Sequence, residues 1–147
     1  MKSIFSLVFL SLIFIIQSCD NINKISAGSY PYSEKYIVKM NELELIDRIN
    51  KFKENNPEYK VPNLEDHRSS HVYRVYFYLT SKNKVFSCWT RPWKDDVCNI
   101  SVFALDAVRD GIGLGNWKTV NTKDLTKEEN KQIKQVFKEN ILSKLNY

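Results

Sequence analysis

At 147 residues the chain has room for one domain built around a single modest core. A hydrophobic fraction of 43% with 13% aromatic residues argues against a disordered chain. The formal net charge of +5 is carried by scattered lysines rather than a basic block, which argues against a nucleic-acid partner and is compatible with solubility or contact with anionic lipid headgroups.

In chain order, residues 1–19 read MKSIFSLVFLSLIFIIQSC. Lys2 supplies a basic start, and from Ile4 to Ile16 only Ser6 and Ser11 interrupt an apolar run. That run falls short of the ~20 residues a spanning helix needs, so its layout is that of a secretory signal. With Ile16-Gln17-Ser18-Cys19 at its end, it resembles the signal of bacterial lipoproteins, in which a lipobox precedes a cysteine that is acylated and becomes the mature N-terminus. The resemblance covers these nineteen residues alone. It implies that residues 1–18 are a signal peptide, that Cys19 is lipidated, and that the protein is anchored in the membrane of the bacterial cell envelope, facing the periplasm or the cell surface.

Residues 19–33 are polar after the cysteine and carry Gly28 and Pro31, so they read as a tether. Fourteen residues of polar linker hold a domain roughly 20 Å from the membrane. The domain is expected over residues 34–147. Tyr36 to Met40 is either a short strand or the run-in to a helix. Asn41 with Glu44 predicts a helix start, Leu45, Ile46, Ile49 and Phe52 give it an apolar face, and Pro57 ends it. Pro57 to Ser70 reads as a loop.

Alternation then predicts a hairpin. Tyr73, Val75, Phe77 and Leu79 share one face of the first strand, with Arg74, Tyr76 and Tyr78 on the other. In the second strand Phe86, Cys88 and Thr90 face inward, and Val85, Ser87 and Trp89 outward. A turn about Lys82-Asn83 sets Leu79 opposite Phe86, Phe77 opposite Cys88 and Tyr76 opposite Trp89. A third strand is expected from Val97 to Ala104 after the Arg91–Asp96 loop. Folding back near Trp93 would put Cys88 opposite Cys98, at a spacing a disulfide can bridge, and would add Ile100 and Val102 to the core face. A fourth strand is expected near Trp117–Val120. Thr126 with Glu129 is a capping box that opens a helix running to about Leu145, with Ile133, Val136, Phe137, Ile141 and Leu145 as its apolar stripe.

Few residues suggest chemistry. Asp66, His67 and His71 form a short acid/base cluster, but its spacing matches no zinc or hydrolase pattern. The Gly111, Gly113 and Gly115 run lacks a following helix and a Gly-Lys-Ser/Thr, so a turn or bulge is expected rather than a phosphate loop. No motif implies a metal or a cofactor. The remaining feature is the outer face of the hairpin, where Tyr76, Tyr78 and Trp89 lie between Arg74 and Arg91 and beside Trp93. Tyr, Trp and Arg are the residues that anchor protein interfaces; the alternative is that this face is a second, covered half of the core.

The expected architecture is α+β, an antiparallel meander of three or four strands packed by an N-terminal helix and a long C-terminal helix. The expected function is that of a lipid-anchored envelope protein that binds a protein partner without catalysis, of the kind that includes immunity proteins against antibacterial toxins. A carbohydrate- or peptidoglycan-binding module, and behind it an envelope hydrolase using residues 66–71, are the alternatives.

Overall fold

The computed structural model describes residues 30–69, 71–93, 99–113 and 115–145. The chain divides into two units, Met1–Pro31 and Tyr32–Tyr147, and the second carries everything that follows. The expected signal segment, Cys19 and Cys98 lie outside the described residues.

The architecture is α+β. The elements are β1 (Glu34–Val38), α1 (Glu42–Asn55), β2 (His67–Arg68), β3 (Tyr73–Leu79), β4 (Lys84–Pro92), β5 (Ser101–Asp110), β6 (Lys118–Thr119) and α2 (Lys127–Asn140). The sheet runs in the order β1-β5-β4-β3-β2, and β6 joins the same edge of β5 that β1 occupies further along. Every pairing is antiparallel. Two short strands, β1 and β2, thus extend the meander on either side, and β6 is the expected fourth strand.

Both helices pack on one face of the sheet. Leu45 and Ile49 of α1 and Ile133 and Phe137 of α2 share one cluster with Val75, Phe77, Phe86, Cys88, Phe103 and Leu105. Phe137 stands at its centre, with ring centroids 5.6–5.8 Å from Phe103, Phe86 and Tyr36. The Asn41 side chain accepts from Glu44 N–H at 2.8 Å and starts α1. The other half of that cap is supplied from a distance, because Asn41 N–H donates to Asn99 Oδ1 at 3.1 Å. In α2 both halves of the Thr126/Glu129 box are formed. The helix ends at Asn140 rather than near Leu145, and a 3-10 turn over Leu142–Leu145 returns Leu142 and Leu145 to the core.

Three expectations about the sheet need correction. The β3–β4 hairpin turns one residue earlier, about Ser81-Lys82 rather than Lys82-Asn83, so Phe77 faces Phe86, Val75 faces Cys88 and Leu79 faces Lys84. A 3-10 turn over Thr80–Lys82 followed by Asn83 in the left-handed region (φ 49°) closes it. A shift by two residues keeps every side chain on its face, so the apolar match survives.

The third strand begins at Ser101, not Val97, and has the opposite parity. Phe103 and Leu105 enter the core, while Val102 and Ala104 sit on the outer face opposite Arg91 and Trp89. An unbroken apolar run, Val102-Phe103-Ala104-Leu105, has no alternation to read. The expected parity came instead from setting Cys98 against Cys88. In the sheet Cys88 faces Leu105 and is a free, buried thiol, so the register from which a Cys88–Cys98 disulfide was drawn is not the one adopted.

Finally, Ser33 is not part of a solvated tether but is buried at the entry to β1.

Candidate binding face

The helices leave the opposite, outer face of the sheet to side chains of the sheet itself, and here the register decides what is open. Between Ser87 and Cys88 the β4–β5 pairing shifts: Ser87 faces Ala107 and Cys88 faces Leu105, leaving Asp106 as the extra residue of a bulge. The bulge turns the Asp106 carboxylate to the outer face, where it accepts from Arg74 Nη1 at 2.9 Å and from Ser33 Oγ at 2.8 Å. Ser33 Oγ in turn accepts the Trp89 indole N–H at 3.0 Å. Arg74 also donates to Ser87 Oγ at 3.3 Å.

This network seals one end of the face. Trp89, expected as an exposed anchor opposite Tyr76, is only 1% exposed and pairs with Arg74 instead. The Arg91 guanidinium lies 5.3 Å from the centre of its ring. A tryptophan can be buried this deeply when its single donor finds an acceptor. Trp93 is half-buried beyond β4, its backbone N–H donating to Ile100 O at 3.1 Å. The covered-core reading therefore holds at this end.

The other end is different. Tyr76, Ser87, Ala107 and Thr119 form one row across β3, β4, β5 and β6. The two middle residues are small and buried, and the residues at either side are bridged by Trp117, whose ring centroid lies 6.2 Å from that of Tyr76. His67 stands 6.2 Å beyond Tyr76, and the Arg109 guanidinium 4.8 Å from the Trp117 ring. His67, Tyr76, Trp117 and Arg109 thus make a strip of tilted, neighbouring rings ended by a cation. Trp117 keeps 37% of its surface exposed and Ile112, in the preceding loop, 47%. Tyr78, one row along, donates its hydroxyl to Asn83 Oδ1 at 3.1 Å and fixes the hairpin end beside the strip.

Of the six residues expected to form the face, Tyr76 belongs to the open strip and Tyr78 lies beside it. Arg74 and Trp89 belong to the sealed network, Arg91 covers the Trp89 ring, and Trp93 lies beyond. His67, Arg109 and Trp117 were missed. Their signal was the pair Ser87 and Ala107, small residues in mid-strand that leave space for a ring to cross.

Asp66, His67 and His71 do not assemble. The Asp66 carboxylate turns toward α1, where it accepts from Lys53 Nζ at 2.5 Å and from Tyr76 N–H at 2.9 Å. His67 points to the outer face, its Nδ1 3.1 Å from Glu65 O, and His71 is exposed. Lys53 is 6% exposed, lies 4.6 Å from the Phe77 ring centre, and burial pulls its ammonium below the usual lysine range against the opposing pull of Asp66. At the other end of the helix Glu42, buried in the first turn of α1, accepts from Thr90 Oγ1 at 2.8 Å and from Arg68 at 3.1 Å. These two ion pairs pin α1 and the β2 edge to the sheet. Among the described residues no three His, Cys, Asp or Glu side chains gather as a metal site.

Gly111 takes a left-handed φ of 68° and donates its N–H to Asn83 O at 2.7 Å, so it closes β5 against the hairpin turn. A strand, β6, follows this loop, and with no helix N-terminus there the arrangement is a turn rather than a phosphate cradle. No protein-family model, curated protein or solved structure matches the chain.

Proposed function

We propose that this chain is a non-enzymatic binding protein of the cell envelope, anchored through a lipid on Cys19, that takes a protein partner on the open end of its outer sheet face. Toxin-neutralising immunity proteins are one class that fits this description. The observation that carries the reading is the strip His67–Tyr76–Trp117–Arg109, already assembled in the sheet and still partly exposed at Trp117, with exposed Ile112 in the loop before it. Aromatic side chains held rigid by their neighbours lose little entropy on binding, and Trp, Tyr and Arg dominate interface hot spots. A sugar-binding platform needs an unobstructed ring face. Here Arg109 occupies one face of Trp117 and Tyr76 approaches it from the side, which favours a protein surface over a glycan.

The test is a photo-crosslinking residue at Ile112 in the full-length, exported protein, read against the same residue at Leu43 on exposed α1. A specific adduct at position 112 alone is expected. Trp117→Ala should weaken binding of the protein so captured about thirtyfold, a hot-spot loss of ~2 kcal/mol. Equal adducts at both positions, or unchanged affinity for Trp117→Ala, would remove the strip from consideration.

A further inference from the structure

α2 distributes its charges unevenly around its axis. Lys127, Lys131, Lys134 and Lys138 recur at spacings of four, three and four, which places them in one stripe along the helix. Glu129 and Glu139 fall away from that stripe, and Glu128 sits at its margin. The stripe lies on the flank of α2 that faces β1. Lys134 bonds Glu34 at 3.3 Å and Asn121 Oδ1 at 3.2 Å, and the Lys138 ammonium stands 5.6 Å from the Tyr36 ring centre. Lys127 and Lys131 are exposed, and with Lys134 and Lys138 they border an open trough that also takes in two carboxylates, Glu34 (bonded to Lys134) and Glu128, so cations outnumber anions there by four to two.

The second observation is where the chain enters the domain. The Tyr32 carbonyl accepts from Asn121 Nδ2 at 2.8 Å, and Asn121 is the residue that Lys134 holds. The described chain therefore begins the domain, at Tyr32, beside the lysine stripe. A flexible polar linker of the fourteen residues after Cys19 has an r.m.s. span of about 20 Å.

We propose that the lysine stripe of α2 is a membrane-docking surface, laid on anionic phospholipid headgroups of the bilayer that holds the anchor. The inference rests on the lipid-anchor reading for its geometry, because a short tether attached beside the stripe raises the local concentration of headgroups there. Each lysine near an anionic leaflet contributes about fivefold to binding, and the attraction fades within a Debye length. Docking through this flank fixes which sides of the domain remain turned to a partner.

The experiment uses the mature full-length protein mixed with phosphatidylglycerol-containing or pure phosphatidylcholine vesicles at low salt. Flotation measures the anchor, and labelling of lysines by a water-soluble amine reagent, read by mass spectrometry, measures the face. The expected result is flotation with both vesicles, with labelling of Lys127, Lys131 and Lys138 slowed at least fivefold on phosphatidylglycerol only. Lys51, exposed on α1, should label equally on both. High salt, or the Lys127→Gln/Lys131→Gln variant, should restore labelling of Lys138. Equal labelling in protein that floats with both vesicles overturns the docking surface and leaves the anchor standing. Protection on phosphatidylglycerol without flotation on phosphatidylcholine keeps the docking surface and removes the anchor. Protection of Lys82, Lys84 and Lys118 in place of the stripe, or neither flotation nor protection, overturns the proposal.

Discussion

At Trp89 an apolar body and a polar tip find separate partners, and that division sets the fate of the whole outer face. Its ring is capped by Arg91 and its N–H ends on Ser33, which the Asp106 bulge holds in place. Truncating a buried tryptophan removes its packing and leaves the Ser33 hydroxyl without the donor it accepts from. Trp89→Ala should therefore cost ~3–5 kcal/mol in urea unfolding. Trp117→Ala, taken from a half-exposed ring, should cost less than half as much. Equal losses at the two positions would mean that the strip is as much core as the sealed end is. Strand parity alone placed both Trp89 and Tyr76 outward, correctly. It could not tell a covered outward side chain from an open one, because the covering comes from Ser33 and Asp106, far away in sequence.

Elements whose ends carry chemical signals were legible, and those without were not. α1 and α2 start where Asn41 and Thr126 cap them, and β3 alternates cleanly and sets the phase of its hairpin partner β4, so the inward set Val75, Phe77, Leu79, Phe86 and Cys88 could be read directly. β5 could not, since a continuous apolar run fits either parity, and a bulge at Asp106 reverses the phase partway along. β2 is two residues long and owes its place to Arg68 reaching Glu42 and to the Asp66 carboxylate holding Tyr76 N–H. The strip was half legible for the same reason. Tyr76 and Tyr78 lie on an alternating strand, whereas Trp117 arrives from a glycine-rich loop whose path no local signal encodes. The cap on α2 gives a quantitative check at this scale. Thr126→Ala should destabilise by ~1 kcal/mol. Adding Glu129→Ala should cost less than its separate effect, because the two side chains close one reciprocal box. Strict additivity in urea melts would show that the box does not act as a unit.

For the molecule as a whole, two buried groups on the inner face make alkaline stability informative. With a sequence pI near 9.0 the net charge is small there, so general self-repulsion contributes little and individual sites dominate. Burial holds the Cys88 thiol well above its ordinary value, with Lys53 opposing. The unfolded thiol ionises near ~8.5 while the folded one keeps its proton. The folded state then binds more protons, so the Cys88 contribution is complete below that pH and is lost as pH rises above it. Lys53 has the opposite sign. Its folded value lies below the usual lysine range, so between that value and ~10.4 the unfolded chain binds more protons and stability rises with pH. Comparing wild type with Cys88→Ala cancels the Lys53 contribution to first order, since the lysine is present in both. At pH 7 the variant should be less stable by the cavity it leaves. Raising the pH to 9.5 should then narrow the gap by about 1 kcal/mol, given a limiting slope of ~1.4 kcal/mol per pH unit for one proton. A gap that stays constant in urea melts from pH 7 to 9.5 would show that Cys88 does not titrate on unfolding, the result a covalently blocked sulfur would give.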